Sequence, residues 1–423
     1  MKRSIFFIVA VLYISLVFAA GIKEISNYTI PNAEYDSYMW GDNGSLLFIH
    51  NQPGGAEARY VPPGFPPNQV YTQTLPTDGA DHVLFLPSFE NTDVFAIEAV
   101  WGLEHVIYGY KTGKKIINTG EIRWDGCSTY GIPVSNWRDD TFFHYTLTET
   151  IGVVDVQMYN NNFKRKMDGS FECDTNTYGY PPVWPSPHGR HMAIDQVSPY
   201  TATLEADIYR TGRNPQLMGT LETHGSLHFT GPKDKFILHY LDWSPTSHVY
   251  EFIRIGSLNS IAEMDSREVL TFALNTKGKG SVGIINTNNM LTIKSEKRVS
   301  GPFAIPEAET NDLITIAHFY GSDIILRFSQ PGNIRFYGYK VSKKGLKKKT
   351  GPETYNNVTW NIRTGKYLSV LSQSGTIFDY TIYTTKLKKI GTIATKGPIP
   401  PVGRVLYDIT ADTTNTKFKA YKW

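Results

Sequence analysis

The stretch that decides the fold is Asn361-Ile362-Arg363-Thr364-Gly365-Lys366-Tyr367-Leu368-Ser369-Val370-Leu371, followed after a short gap by Gly375-Thr376-Ile377-Phe378-Asp379-Tyr380. Apolar and polar residues alternate on both sides of glycine turns, which gives each strand one face toward its own packing partner and one toward a neighbour. Strand, turn, strand, polar turn is a unit that recurs. Polar turns close strands at Tyr110-Lys111-Thr112-Gly113-Lys114 and at Tyr209-Arg210-Thr211-Gly212-Arg213, and looser copies begin at Met158, Ile255, Ile285, Tyr339 and Ile382. Shorter apolar runs precede them, at 82–86, 191–194, 236–240, 324–328 and 367–371. The copies start about 45 residues apart on average, the length of one four-stranded propeller blade. One interval, from Ile255 to Ile285, is only 30 residues.

The 361–380 unit resembles the WD40-like and YVTN-type β-propeller repeats. So does Trp184-Pro185-Ser186-Pro187-His188-Gly189-Arg190-His191-Met192-Ala193-Ile194, with His188 where the strand-start motif of those repeats usually has Asp. The Gly-His signature of true WD40 repeats is absent and Trp-Asp does not recur, standing only at Trp124-Asp125, so the resemblance identifies no functional family. It implies an all-β chain folded as a single β-propeller over 21–423. The seven turns predict seven blades, and an N-terminal unit near 46–61 allows eight. Closure is expected between residues 25–30 and 418–423, which would remove an exposed edge. A pair of β-sandwich domains is the alternative, but no linker-like shift in composition divides the chain.

Composition agrees with β structure. Hydrophobic residues are 41%, aromatic 13% and charged only 19% of the 423 residues, a mixture that excludes disorder, coiled coil and helical bundle. Met1-Lys2-Arg3, an apolar run over 4–18 and Ala19-Ala20-Gly21 form the three parts of a secretory signal peptide, expected to occupy 1–20. No later run is long enough to span a membrane, so an exported protein with no membrane span is expected. In an oxidising compartment Cys127 and Cys173 can form one disulfide; the alternative is two buried thiols. The sequons at Asn27, Asn43 and Asn357 would carry glycans in a eukaryotic host.

Charge is uneven. Residues 21–210 hold 12 Lys or Arg against 23 Asp or Glu, whereas residues 211–423 hold 28 against 16. The densest cations are Lys340, Lys343, Lys344, Lys347, Lys348 and Lys349, with Lys386, Lys388 and Lys389 on the equivalent turn of the following repeat. In adjacent blades these turns would share one rim and form a patch suited to an extracellular polyanion or polysaccharide. Solvated turns are the plainer reading. Nucleic acid is disfavoured, since no aromatic residues interleave the lysines to stack bases. An acidic half against a basic half also permits self-association into a coat or matrix.

Catalytic signals are weak. Gly278-Lys279-Gly280-Ser281-Val282-Gly283 matches G-x-G-x-x-G but leads into a strand-like run, not a helix, which argues against a dinucleotide site. His188, His191, His224 and His228 could converge on a divalent metal at the ring mouth, although isolated strand histidines explain them equally. Otherwise no cofactor is expected. Asp125, Asp139, Asp140 and Asp242 could serve a hydrolase or lyase acting on an acidic polymer. Trp101, Trp124, Trp137, Trp184, Trp243 and Trp360 read more readily as inter-blade core than as sugar platforms. The leading expectation is therefore an exported binding or structural module.

Overall fold

A computed structural model describes residues 21–64, 69–87, 93–125, 134–138, 141–147, 152–160, 162–173, 183–196, 204–223, 227–230, 233–244, 247–277 and 280–423. Their strands form nine antiparallel sheets, eight of four strands and one of three. In the eight, spatial order follows chain order, giving blade 1 (37–74), blade 2 (82–125), blade 3 (134–172), blade 4 (183–223), blade 5 (227–265), blade 6 (269–304), blade 7 (313–355) and blade 8 (360–395). Blade 9 is shared by the two ends of the chain. Its strands are Val405–Ala411, Asn415–Lys422 and, outermost, the N-terminal Lys23–Pro31.

The chain is a β-propeller. Among the described residues nine hydrophobic clusters hold it, and each draws its side chains from two consecutive blades, including the pair formed by blade 9 and blade 1. The sequence pattern explains which strands lie deepest. Val94–Trp101, the second strand of blade 2, is an almost unbroken apolar run and is buried on both faces between neighbours. Gly345–Tyr355, the fourth strand of blade 7, has no fully buried residue and carries Lys347, Lys348, Lys349 and Glu353. First strands lie toward the ring centre, where Thr276 of blade 6 donates to the carbonyl of Gly365 in blade 8 at 3.2 Å, past blade 7.

Pairing of third with fourth strands slips at one position in each of blades 2 to 6 and 8 and at two in blade 7, for example at Gly109/Tyr110, Ile208/Tyr209 and Ile382/Tyr383. In blades 2, 4 and 7 a slip adjoins the aromatic turn marker, Tyr110, Tyr209 and Tyr339. A bulge of this kind sharpens the local twist, which helps each outer strand turn away across its neighbour.

Two corrections to the sequence reading follow. The ring has nine blades, not seven or eight. Six of the seven turn markers fall on or just after third strands, but Ile285 lies in Ser281–Asn286, the second strand of blade 6, which produced the short interval. The N-terminal unit near 46–61 is the centre of blade 1. What remained uncounted is blade 9, because its strands stand almost four hundred residues apart in sequence and its first strand is reduced to a single bridge, Val402 to Val405. The expected closure is present, with Lys23–Pro31 antiparallel to Asn415–Lys422, and the buried Tyr407 hydroxyl reaches across to the carbonyls of Gly41 and Ser45 in blade 1. Ser281–Asn286 is a strand, so the glycine motif opens no helix; Gly278 and Lys279 lie outside the described residues.

Candidate anion-binding site

Because every blade runs antiparallel in the same order, first-to-second and third-to-fourth turns emerge on one face of the ring. Second-to-third turns and the connections between blades emerge on the other. Among the described residues, the turns of the first face hold fifteen Lys or Arg and four Asp or Glu, while the connections of the opposite face hold two and nine. Charge is thus sorted by face, an axis that splitting the chain at its middle does not show.

A cleft of about 720 Å³ on the basic face lies between blades 4 and 5 and borders blade 3. Its cations are Lys166, Arg190, Arg210, Arg213, Lys233, Lys235 and Arg254, and its apolar lining is Met158, Met218 and Ile255. Arg254 is paired with Glu296 at 2.5 Å. No ion pair neutralises the other six among the described residues, so their mutual repulsion is left for a ligand to relieve.

The walls are fixed by a buried network. Asp234, in the first turn of blade 5, is 1% exposed and reaches into blade 4, where its Oδ2 accepts from Ser186 Oγ at 2.6 Å and from the His188 amide at 3.0 Å. Ser186 Oγ in turn accepts from the amides of Arg190 and His191, both at 3.0 Å. Thr211, in the third-to-fourth turn of blade 4, donates its hydroxyl to the Gly189 carbonyl at 2.5 Å. Gly189 has φ of +61°, and a Cβ there would meet the Thr141 side chain at 2.6 Å, so only glycine suits this turn. Lys233 and Asp234 also hold positive φ, at 60° and 51°, a conformation that costs on the order of 1 kcal/mol per residue and persists only where surroundings enforce it. His191 stacks over Phe229 of blade 5. Burial holds its imidazole below the usual range, opposed by the Asp234 carboxylate and reinforced by Arg210 and Arg190. The ring is therefore neutral at neutral pH.

The lysines named from sequence occupy the same face, in blades 7 and 8. Lys343 and Lys344 form the tip between Asn333–Ser342 and Gly345–Tyr355, and Lys340 stands directly opposite Lys347. Lys386 and Lys388 lie in the equivalent turn of blade 8, and Lys389 starts its fourth strand. The blade 8 turn packs on the fourth strand of blade 7, where Thr350 Oγ1 donates to the Lys386 carbonyl at 2.6 Å. Lys348 departs from the group: its Nζ is 3.2 Å from Glu307 and 4.7 Å from the centre of the Tyr337 ring. The remaining eight, including Lys349, are exposed.

Other expected residues scatter. His188 sits in a turn of blade 4, His191 starts its second strand, and His228 lies exposed on Leu227–Thr230. His224 lies outside the described residues, among which no group of three or more His, Cys, Asp or Glu is placed to hold a metal. Cys127 is also outside them; Cys173 is buried between blades 3 and 4. Asn357 is exposed, whereas Asn43 is half-buried and tied to Ser45 and Asp93, and Asn27 bonds Glu24. Asp139 and Asp140 lie outside the described residues, as do the side chains of Asp125, Asp242, Trp137 and Trp243. Trp101, Trp124, Trp184 and Trp360 pack against inter-blade clusters, as core residues do. Among the described residues no helix is long and apolar enough to cross a membrane.

The cleft itself escaped the sequence reading. Its signal was a cation in each of three consecutive turns on one face: Gly189-Arg190 and Gly212-Arg213 in blade 4, and Lys233 with Lys235 in blade 5.

No family model matches the chain, and no curated protein does. Among solved structures, the C-terminal WD40 domain of Sif2 is 10% identical over 81% of this chain and 96% of its own, with a TM-score of 0.39. Protein lmo1340 of Listeria monocytogenes EGD-e is 8% identical over 88% and 96%, with a TM-score of 0.38. A post-proline cleaving enzyme from Rickettsia typhi is 12% identical over 84% of this chain but only 58% of its own length, with a TM-score of 0.35. At such identities and scores no activity or partner carries over, and the chain stands as a nine-bladed β-propeller.

Proposed function

We propose that this chain is an exported binding module that holds a polyanionic polymer, an acidic polysaccharide above all, against its basic face. The observation that carries the reading is the sorting of turn charge, fifteen cations to four carboxylates on one face and two to nine on the other among the described residues. A face of one sign raises the local concentration of an oppositely charged polymer and speeds its capture. The positive head and apolar run of residues 1–20 support export. The test is retention on an immobilised acidic polysaccharide, eluted with increasing salt. Retention should be reversible, and its salt slope should report the number of charges engaged. Reversing Lys343, Lys344 and Lys386 to Glu together should weaken retention by about tenfold or more; unchanged retention would defeat the reading.

The opposite signs of the two faces favour a second reading, in which rings stack basic face to acidic face. It predicts oligomers in sedimentation that dissociate as salt is raised.

A further inference from the structure

We infer that the cleft between blades 4 and 5 is a discrete site for one compact, multiply charged oxyanion ligand, a short frame bearing several phosphate or sulfate groups. The inference rests on the reading of this face as anion-binding and narrows it to a stoichiometric site.

Three features select that ligand. A volume of about 720 Å³ suits a whole small molecule, not a lone ion. Six cations without an ion pair converge there, three of them lysines and three of them arginines, Arg190, Arg210 and Arg213. A singly charged ligand would leave most of this repulsion in place, whereas several oxyanion groups relieve it together. Guanidinium forks match planar or tetrahedral oxyanions two oxygens at a time, whereas a lysine meets them as a point charge, so the three arginines favour a ligand whose charge sits on oxyanion groups. Finally, among the described residues the lining carries no aromatic ring except the His191 imidazole, which leaves little platform for stacking nucleobases, while Met158, Met218 and Ile255 accept a short carbon frame. The Asp234 and Ser186 network holds the cationic turns in place before ligand arrives, which lowers the ordering cost of binding.

The lysine turns of blades 7 and 8 differ in kind. They offer a flat row of exposed cations, to which a polymer can bind in many registers.

Titration calorimetry with tripolyphosphate and with sucrose octasulfate at physiological ionic strength tests the site and separates the two sources of its chemistry. At least one probe should bind one to one, and the tighter of the two identifies phosphate or sulfate as the preferred group. Arg190→Glu and Lys235→Glu, each at an exposed side chain, should each weaken binding by about tenfold or more. The double change Lys343→Glu with Lys344→Glu should alter it less than about threefold. Unchanged melting temperatures would show that the variants fold. No saturable binding of either probe, or equal losses in both sets of variants, would overturn the inference even if the wild type still retains the long polymer. Compact-ligand binding with no polymer retention would instead bring down the broader reading and leave this one standing.

Discussion

In the cleft between blades 4 and 5 the cations hang from turns tied to one another through Asp234, Ser186 and Thr211, whereas in blades 7 and 8 they stand at and beside exposed hairpin tips, below which Thr350 bonds the Lys386 carbonyl and Thr385 bonds Asp323. The first arrangement spends buried hydrogen bonds on the position of a few charges. The second leaves long side chains free in water. Shape and pre-organisation therefore belong to the cleft, and reach and valence to the turns. The same net charge on one face can thus serve two kinds of recognition, because geometry decides which ligand gains from it.

Removing the tie should produce the largest break in this comparison. Asp234→Ala leaves Ser186 Oγ and the His188 amide without their acceptor in a buried setting, a loss expected to destabilise the fold by about 3 kcal/mol. Reversing Lys343 and Lys344 should change stability by less than about 0.5 kcal/mol. Urea unfolding of both variants measures the contrast, and equal effects would erase it.

Acid should weaken the ring at two buried histidines, one in blade 3 and one in blade 7. Burial lowers His144 in blade 3 and His318 in blade 7 to about 4, with Arg363 pushing His318 the same way. Both imidazoles are neutral in the folded protein, so the unfolded chain binds more protons between pH 6.5 and 4. Stability from these residues is full above about pH 6.5 and falls as pH drops toward 4, by on the order of 2 kcal/mol per histidine at pH 4.5. Unfolding midpoints across that range check the slope, which His144→Gln and His318→Gln should flatten.

The smallest effect sharpens the other side. Lys340 faces Lys347 across the hairpin, with Asp323 opposite it on the neighbouring strand. Like charges directly opposed weaken a strand pair, so Lys340→Gln should stabilise by a few tenths of a kcal/mol, about 0.3, in the same urea assay. A loss of stability there would mean that the Asp323 contact outweighs the repulsion.

Much of the architecture was legible in the chain. Period-two alternation, polar turns and the closing strands at the two ends pointed to a propeller, and those strands pair as expected. Blade number was not legible, because Ile285 falls in a second strand and blade 9 is assembled from both termini. The lysine turns were visible because their charges are consecutive. The cleft was hidden, since Lys166, Arg190 and Arg210 lie in the half of the chain where carboxylates outnumber cations, and only the ring brings them beside Lys233, Lys235 and Arg254.

By itself, then, the sequence determined the strand and turn alphabet of this protein, since alternation and glycine turns act between residues close along the chain. Which charges share a face, how many blades close the ring and where a buried carboxylate locks two blades together were decided only in the tertiary structure. Those properties depend on contacts between residues far apart in sequence, whose proximity is set by the stacking of whole blades.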